Sequence, residues 1–168
     1  YALFWFVNGN EIDDIAIEHI KKGNIDKSTE IWQKQVSKSA INNTNYSAYN
    51  NLSTLLFSEG EYKKAVKLKS ELIESNSINA LGKLVCDDNY LVSNSTLLNA
   101  FIESMISSLK EIGKNESEII EVCSNSSQAF QDLVSNQFVR APISNLDKAI
   151  NEAISLNKKG MREGKFAN

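Results

Sequence analysis

The chain has 168 residues, 42% of them hydrophobic, with a formal net charge of −3 and a pI near 5.3. That length and apolar content fit one soluble domain with a real core, or one compact repeat array with an appendage. The acidic balance argues against a nucleic-acid partner, whose phosphates need a basic surface, and no apolar run approaches the roughly 18 residues that span a bilayer.

Pro142 is the only proline and there are seven glycines, punctuation too sparse for many short strands and turns, so the chain reads as all-α. Asn, Ser, Ile and Lys are heavily used, and the several N-x-S/T triplets, Asn51-Leu52-Ser53 among them, are what that composition produces by chance. The opening YALFWFV is intensely apolar but too short, and without a basic flank, for a signal peptide. Because it starts at Tyr rather than Met, the chain reads as a fragment whose first residues continue an upstream helix or dock on the core. Left exposed, the same patch could drive self-association. Cys86 and Cys123 lie far apart and form no CxxC motif, which favours buried thiols in a reducing, cytoplasmic setting over a disulfide.

From Glu11, Ile12, Ile15, Ala16, His19 and Ile20 recur at the spacing of a helix with one buried face. Gly23-Asn24 interrupts the stripe, and Ile25, Ser28, Trp32 and Val36 begin a second. Gly23 reads as the end of the first helix and Asn24 as the side-chain cap of the next. The same arrangement recurs 37 residues on in YNNLSTLLFSEGEYKKAVKLKSEL. Ile12 maps to Tyr49, Ile15 to Leu52, Ala16 to Ser53, Ile20 to Phe57, Gly23 to Gly60, Ile25 to Tyr62, Ser28 to Ala65 and Ile31 to Leu68. Two helical hairpins are expected, at about 10–38 and 46–75.

This pattern of large, large, small, large, glycine, large, small resembles the tetratricopeptide repeat, whose usual period is about 34 residues. The extra residues fall in the polar link SKSAINNTNYS, where insertions are cheap. The first copy departs from the family in carrying Ser28 where alanine is usual, and no proline closes either copy. After Ser75 the match fades. Ile78, Leu81, Gly82 and Val85 keep first-helix spacing without a second helix behind them. A helix follows with Leu98, Phe101, Ile102, Met105, Leu109 and Ile112 on one face and Gly113 as its stop. A short helix near Glu116–Cys123 and another at about 127–139 come next. Pro142 then begins a last helix with the stripe Ile143, Leu146, Ile150, Ala153, Ile154 and Asn157. Residues 76–168 are expected to pack on the repeats and cap them, since two hairpins alone bury too little for stability.

Candidate chemistry is thin. His19, the sole histidine, lies on an apolar stripe and reads as structural. Asp13-Asp14 and Asp87-Asp88 are adjacent acids that a helix points about 100° apart, so neither forms an acid/base pair, and the first pair suits a helix N-terminus. No phosphate loop, G-x-S-x-G or H-E-x-x-H occurs, so no enzyme, metal or cofactor is expected. Lys63, Lys64, Lys67 and Lys69 read as a solvated basic face.

The repeat resemblance implies a concave groove made by first helices. It places Asn10, Asp13, Asp14, Ile17 and Lys21 there from the first hairpin, and Ser47, Asn50, Asn51, Thr54 and Ser58 from the second. The partner-binding set is Asp13, Asp14, Ile17, Lys21, Asn50, Asn51 and Thr54. Some members of the family clamp a C-terminal carboxylate with a lysine and asparagines. Here Asp13 and Ile17 occupy two of those places and only Asn51 fits, so the acidic start of the groove suits a basic or amide-bearing peptide. More widely, LFWFVNGNEIDDIAIEHIKKGNIDKSTEIW resembles the middle of bacterial proteins in which a J-domain-like module precedes such repeats. The His-Pro-Asp signature is absent, so no chaperone-stimulating activity is assigned. The expected function is a non-catalytic scaffold binding a peptide or partner helix, without nucleic acid or membrane. Two rivals stand beside it: an enzymatic or small-ligand site in the C-terminal half, and a structural spacer in a larger co-chaperone-like protein.

Overall fold

A computed structural model of the chain describes residues 6–75 and 94–162. Among them the fold is all-helical: α1 Glu11–Lys21, α2 Ile25–Lys38, α3 Tyr46–Ser58, α4 Tyr62–Glu74, α5 Asn94–Glu111, α6 Glu116–Val122 and α7 Gln128–Arg162. Helices α1 to α4 pack each on the next as two antiparallel hairpins, α5 and α6 lie on α4, and α7 packs on α5 and α6. Ile78, Leu81, Gly82, Val85, Cys86, Asp87 and Asp88 lie outside the described residues.

Both hairpin turns are built on a glycine in the left-handed region, Gly23 at φ 82° and Gly60 at φ 84°. In each, the glycine N–H donates back to the carbonyl three residues earlier, Ile20 or Phe57. The following N–H, of Asn24 or Glu61, donates to the carbonyl of His19 or Leu56. This closes off the helix's last free carbonyls. Gly113, at φ 91°, ends α5 in the same way. A β-carbon at Gly23 or Gly60 would meet nothing within 4 Å, so substitution is strained by backbone conformation alone. Gly23→Ala and Gly60→Ala are each expected to cost about 1 kcal/mol in urea denaturation, equally within error. A large difference between them would mean the two turns are not equivalent.

The two hairpins are also joined internally in matching ways. Ser28 Oγ donates to the carbonyl of Ala16, and Ser53 Oγ donates to the carbonyl of Ala65 at 2.7 Å. The same pair of small positions meets in each copy, with the hydroxyl on opposite helices. Small side chains there let the helix backbones approach, and the hydroxyl satisfies itself on the facing carbonyl. The link between hairpins is knitted by its own amides. Asn42 Oδ1 accepts from the backbone N–H groups of Thr44 and Asn45, while Asn45 Nδ2 donates to the carbonyls of Ser39 and Ala40.

One core cluster lies within the first hairpin and against α3, around Trp32, Ala16, Ile20, Leu52 and Leu55. The other joins α4 to the C-terminal helices through Val66, Leu72, Ile102, Leu109, Ile119 and Phe130. Cys123 is buried in this second cluster as a free thiol, and burial pushes its pKa up to about 11. At the surface Lys63 bridges to Glu121 at 2.8 Å and Ser127 Oγ donates to Glu74, tying α4 to α6 and to the start of α7.

Four sequence expectations need correcting. Asn24 precedes α2 without a side-chain capping bond, whereas Asn10 and Asn115 do cap α1 and α6. Ile15 is 54% exposed although its counterpart Leu52 is fully buried, because α3 has a packed helix on each side and α1 stands at the end of the described array. Ile112, placed on the buried face of α5, is exposed, and Ile106 is buried instead. The break expected before Pro142 is absent, α7 running from Gln128 to Arg162 without interruption. A proline removes one hydrogen bond from a helix ladder, and the residues flanking this one continue it. Helices α5 and α6 lie on α4 and the first half of α7 packs on α5 and α6, while every residue from 149 to 157 is exposed.

Candidate functional site

The face shared by α3, α4 and α5 contains an open cleft of about 440 Å³. Its apolar wall is made by Phe57 of α3 and by Phe101 and Met105 of α5, with Phe6 at one end. Its polar lining comes from Asn50, Thr54 and Ser58, successive turns of α3, opposite Ser104 and Ser108 of α5. The i, i+4 spacing of each set puts it on one helix face. Lys69, from α4, is the only charged side chain lining the cleft among the described residues. It is half-buried, donates to Asn50 Oδ1 at 2.7 Å, and burial of the ammonium lowers its pKa below the usual lysine value.

Beneath the cleft runs a chain of polar side chains. Asn50 Nδ2 donates to Asn51 Oδ1 at 3.3 Å, and Asn51 Nδ2 donates to Asp13 Oδ1 at 3.3 Å and to the Val7 carbonyl at 2.6 Å. Asp13 is 1% exposed and also accepts from Trp32 Nε1 at 2.8 Å and from the Gly9 N–H at 2.9 Å. Val7 N–H returns to Asn51 Oδ1 at 2.7 Å, so the segment before α1 is held like a strand against one amide. Phe6 then lies on Trp32 with ring centroids 5.3 Å apart. The Tyr46 phenol has its pKa raised by burial and then by the negative charge of Asp13. A buried carboxylate is tolerable when its oxygens are filled by donors in this way.

This arrangement divides the expected binding set. Asn50 and Thr54 do come together in the cleft, Thr54 Oγ1 donating to the Asn50 carbonyl at 3.0 Å. Asp13 and Asn51 are buried inside the fold and offer no surface to a partner. Asp14 is exposed and accepts from Asn8 Nδ2, Lys21 is exposed and pairs with Glu18 at 3.2 Å, and Ile17 is partly buried against the first core cluster. None of these three lines the cleft. Of the other groove candidates, Asn10 caps α1 and donates to the Thr44 carbonyl, and Ser47 is buried. His19 is half-buried.

Lys69 was expected to be solvated with its lysine neighbours. Its place was visible in the helix period, since Ala65, Lys69 and Ile73 form one i, i+4 row whose outer two members are buried. Phe101, Ser104 and Ser108 had no such signal, because nothing in α5 announces which helix it packs against. Among the described residues no group of His, Cys, Asp and Glu side chains could hold a metal ion, and no helix is long and apolar enough to cross a membrane. No protein-family model, curated protein or solved structure matches this chain.

Proposed function

We propose that this protein is a non-catalytic interaction module that holds an extended or helical segment of a partner protein in the cleft between α3 and α5. The cleft itself carries the reading: it is open, of a size to take a few side chains, and combines aromatic and aliphatic surface with amide and hydroxyl groups on both of the helices that line it. The matched glycine turns and mirrored serine contacts support two tetratricopeptide-like units, whose first helices would be α1 and α3. A setting in a bacterial cytoplasmic protein beside a J-domain-like module belongs to the same proposal and rests on the LFWF-containing sequence alone.

Selection of peptides from a random library on the immobilised protein tests this, with affinities then measured by fluorescence polarisation on variants. Ser104→Trp, which fills the cleft, is expected to weaken the selected peptides about tenfold or more. Asp14→Ala and Lys21→Ala, outside the cleft, should leave them unchanged. Selected peptides indifferent to Ser104→Trp but sensitive to Asp14→Ala or Lys21→Ala would move the site to the outer face of α1 and overturn the proposal.

A further inference from the structure

Lys69 sits where a lysine is costly. Two other lysines of α4 are paired at the surface, Lys63 with Glu121 at 2.8 Å and Lys67 with Glu71 at 2.9 Å. Lys69 has no carboxylate within ion-pair distance among the described residues, and its hydrogen bond goes to the neutral oxygen of Asn50. An ammonium on a four-carbon stem reaches water readily when nothing holds it. Here it is drawn under the rim of an apolar cleft by an amide that is itself buried and oriented by Asn51. Partial burial removes hydration from the charge, and a neutral acceptor restores only part of it.

We propose that the cleft selects partner segments carrying an acidic group beside a large apolar side chain, the acidic group meeting Lys69 Nζ and the apolar one the wall of Phe57, Phe101 and Met105. This rests on the cleft being the binding site. Lys69 supplies a fixed positive charge in a low-dielectric recess, where a charge-assisted hydrogen bond is stronger than at the open surface. The aromatic wall supplies affinity that does not depend on charge. The buried Asp13 does not repel an incoming anion at contact range, because Asn50 and Asn51 stand between it and Lys69. The sign of the preferred ligand is therefore opposite to the one the sequence suggested.

Two fluorescent probes of nearly equal shape separate the two contributions: anilinonaphthalene sulfonate, an anion, and phenylnaphthylamine, which is neutral. Titrated at neutral pH and low salt, the wild-type protein is expected to bind both. Lys69→Gln keeps a donor for Asn50 without the charge, and should lose about tenfold in affinity for the sulfonate while keeping the neutral probe. Lys69→Arg should retain both, and Ser104→Trp should lose both. Equal sulfonate affinity in wild type and Lys69→Gln would overturn the charge selection and leave the cleft reading intact. Sulfonate binding that survives Ser104→Trp, or wild-type protein that binds neither probe, would overturn the cleft reading along with it.

Discussion

Asp13→Ala is expected to lower the stability of the folded protein by about 3–5 kcal/mol, a large share of what a domain of this size has to lose. The side chain does not touch solvent and takes hydrogen bonds from three separate places: Trp32 on α2, Asn51 on α3 and the backbone of Gly9 ahead of α1. Removing it leaves the Trp32 and Asn51 donors buried without that acceptor, each costing about 1–3 kcal/mol before relaxation, and frees the Gly9 N–H of the segment ahead of α1. Asp14→Ala, one residue away and exposed, should change stability by no more than about 0.5 kcal/mol. Urea denaturation of the two variants reads the difference. Because Asn51 would lose a partner, the Val7 N–H that it accepts should exchange with deuterium faster in Asp13→Ala than in wild type. Two variants of equal stability, or a Val7 amide that exchanges unchanged, would show that the network does not hold the first hairpin to α3 as its geometry suggests.

The contrast between Asp13 and Asp14 also marks how far the sequence was legible. Helices, turns and the internal repeat could be read because each depends on local pattern: a 3.6-residue period, a glycine at a left-handed turn, a small residue where backbones approach. The 37-residue spacing brings the glycine turns and the mirrored Ser28 and Ser53 contacts to matching places, but not the burial of Ile15 and Leu52. What the pattern does not carry is which side of a helix its neighbours occupy. Apolar residues alone placed the buried stripe of α1 through Ile15, whereas the buried row is Asp13, Ala16 and Ile20. A polar residue that is satisfied by distant partners looks, in sequence, like a surface residue. Trp32 and Asn51, 19 and 38 residues away from Asp13, decide its burial. The cleft was half legible for the same reason. Asn50 and Thr54 follow from the repeat, but Lys69 and the residues of α5 enter only once the order of packing is known.

The repeat register makes a stronger demand on Leu52 and Ala65, for which substitution by aspartate is expected to abolish cooperative folding. Leu52 is fully buried on α3, among residues from both hairpins, and Ala65 is 1% exposed on α4 with its carbonyl taken by Ser53. At Ala65, Lys69 lies one turn on along the same face of α4, so the cost there is chiefly steric, whereas at Leu52 the basic groups Lys63 and Lys67 are turned outward to Glu121 and Glu71 and leave a carboxylate unpaired. An unpaired charge there must stay ionised in an apolar setting, take up a proton, or force the hairpins apart, and each course costs several kcal/mol. Lys64→Ala on the exposed side of the same helix removes no buried contact and should leave the melting temperature within about a degree or two of wild type. Ala65→Asp adds a second test, because a side chain larger than the native methyl must also push α3 and α4 apart at their closest approach. If Leu52→Asp, Ala65→Asp and Lys64→Ala melted alike in circular dichroism, the pairing of Leu52 with Ile15 and of Ala65 with Ser28 would lose its structural meaning. The two hairpins would then be similar in outline without sharing a packing scheme.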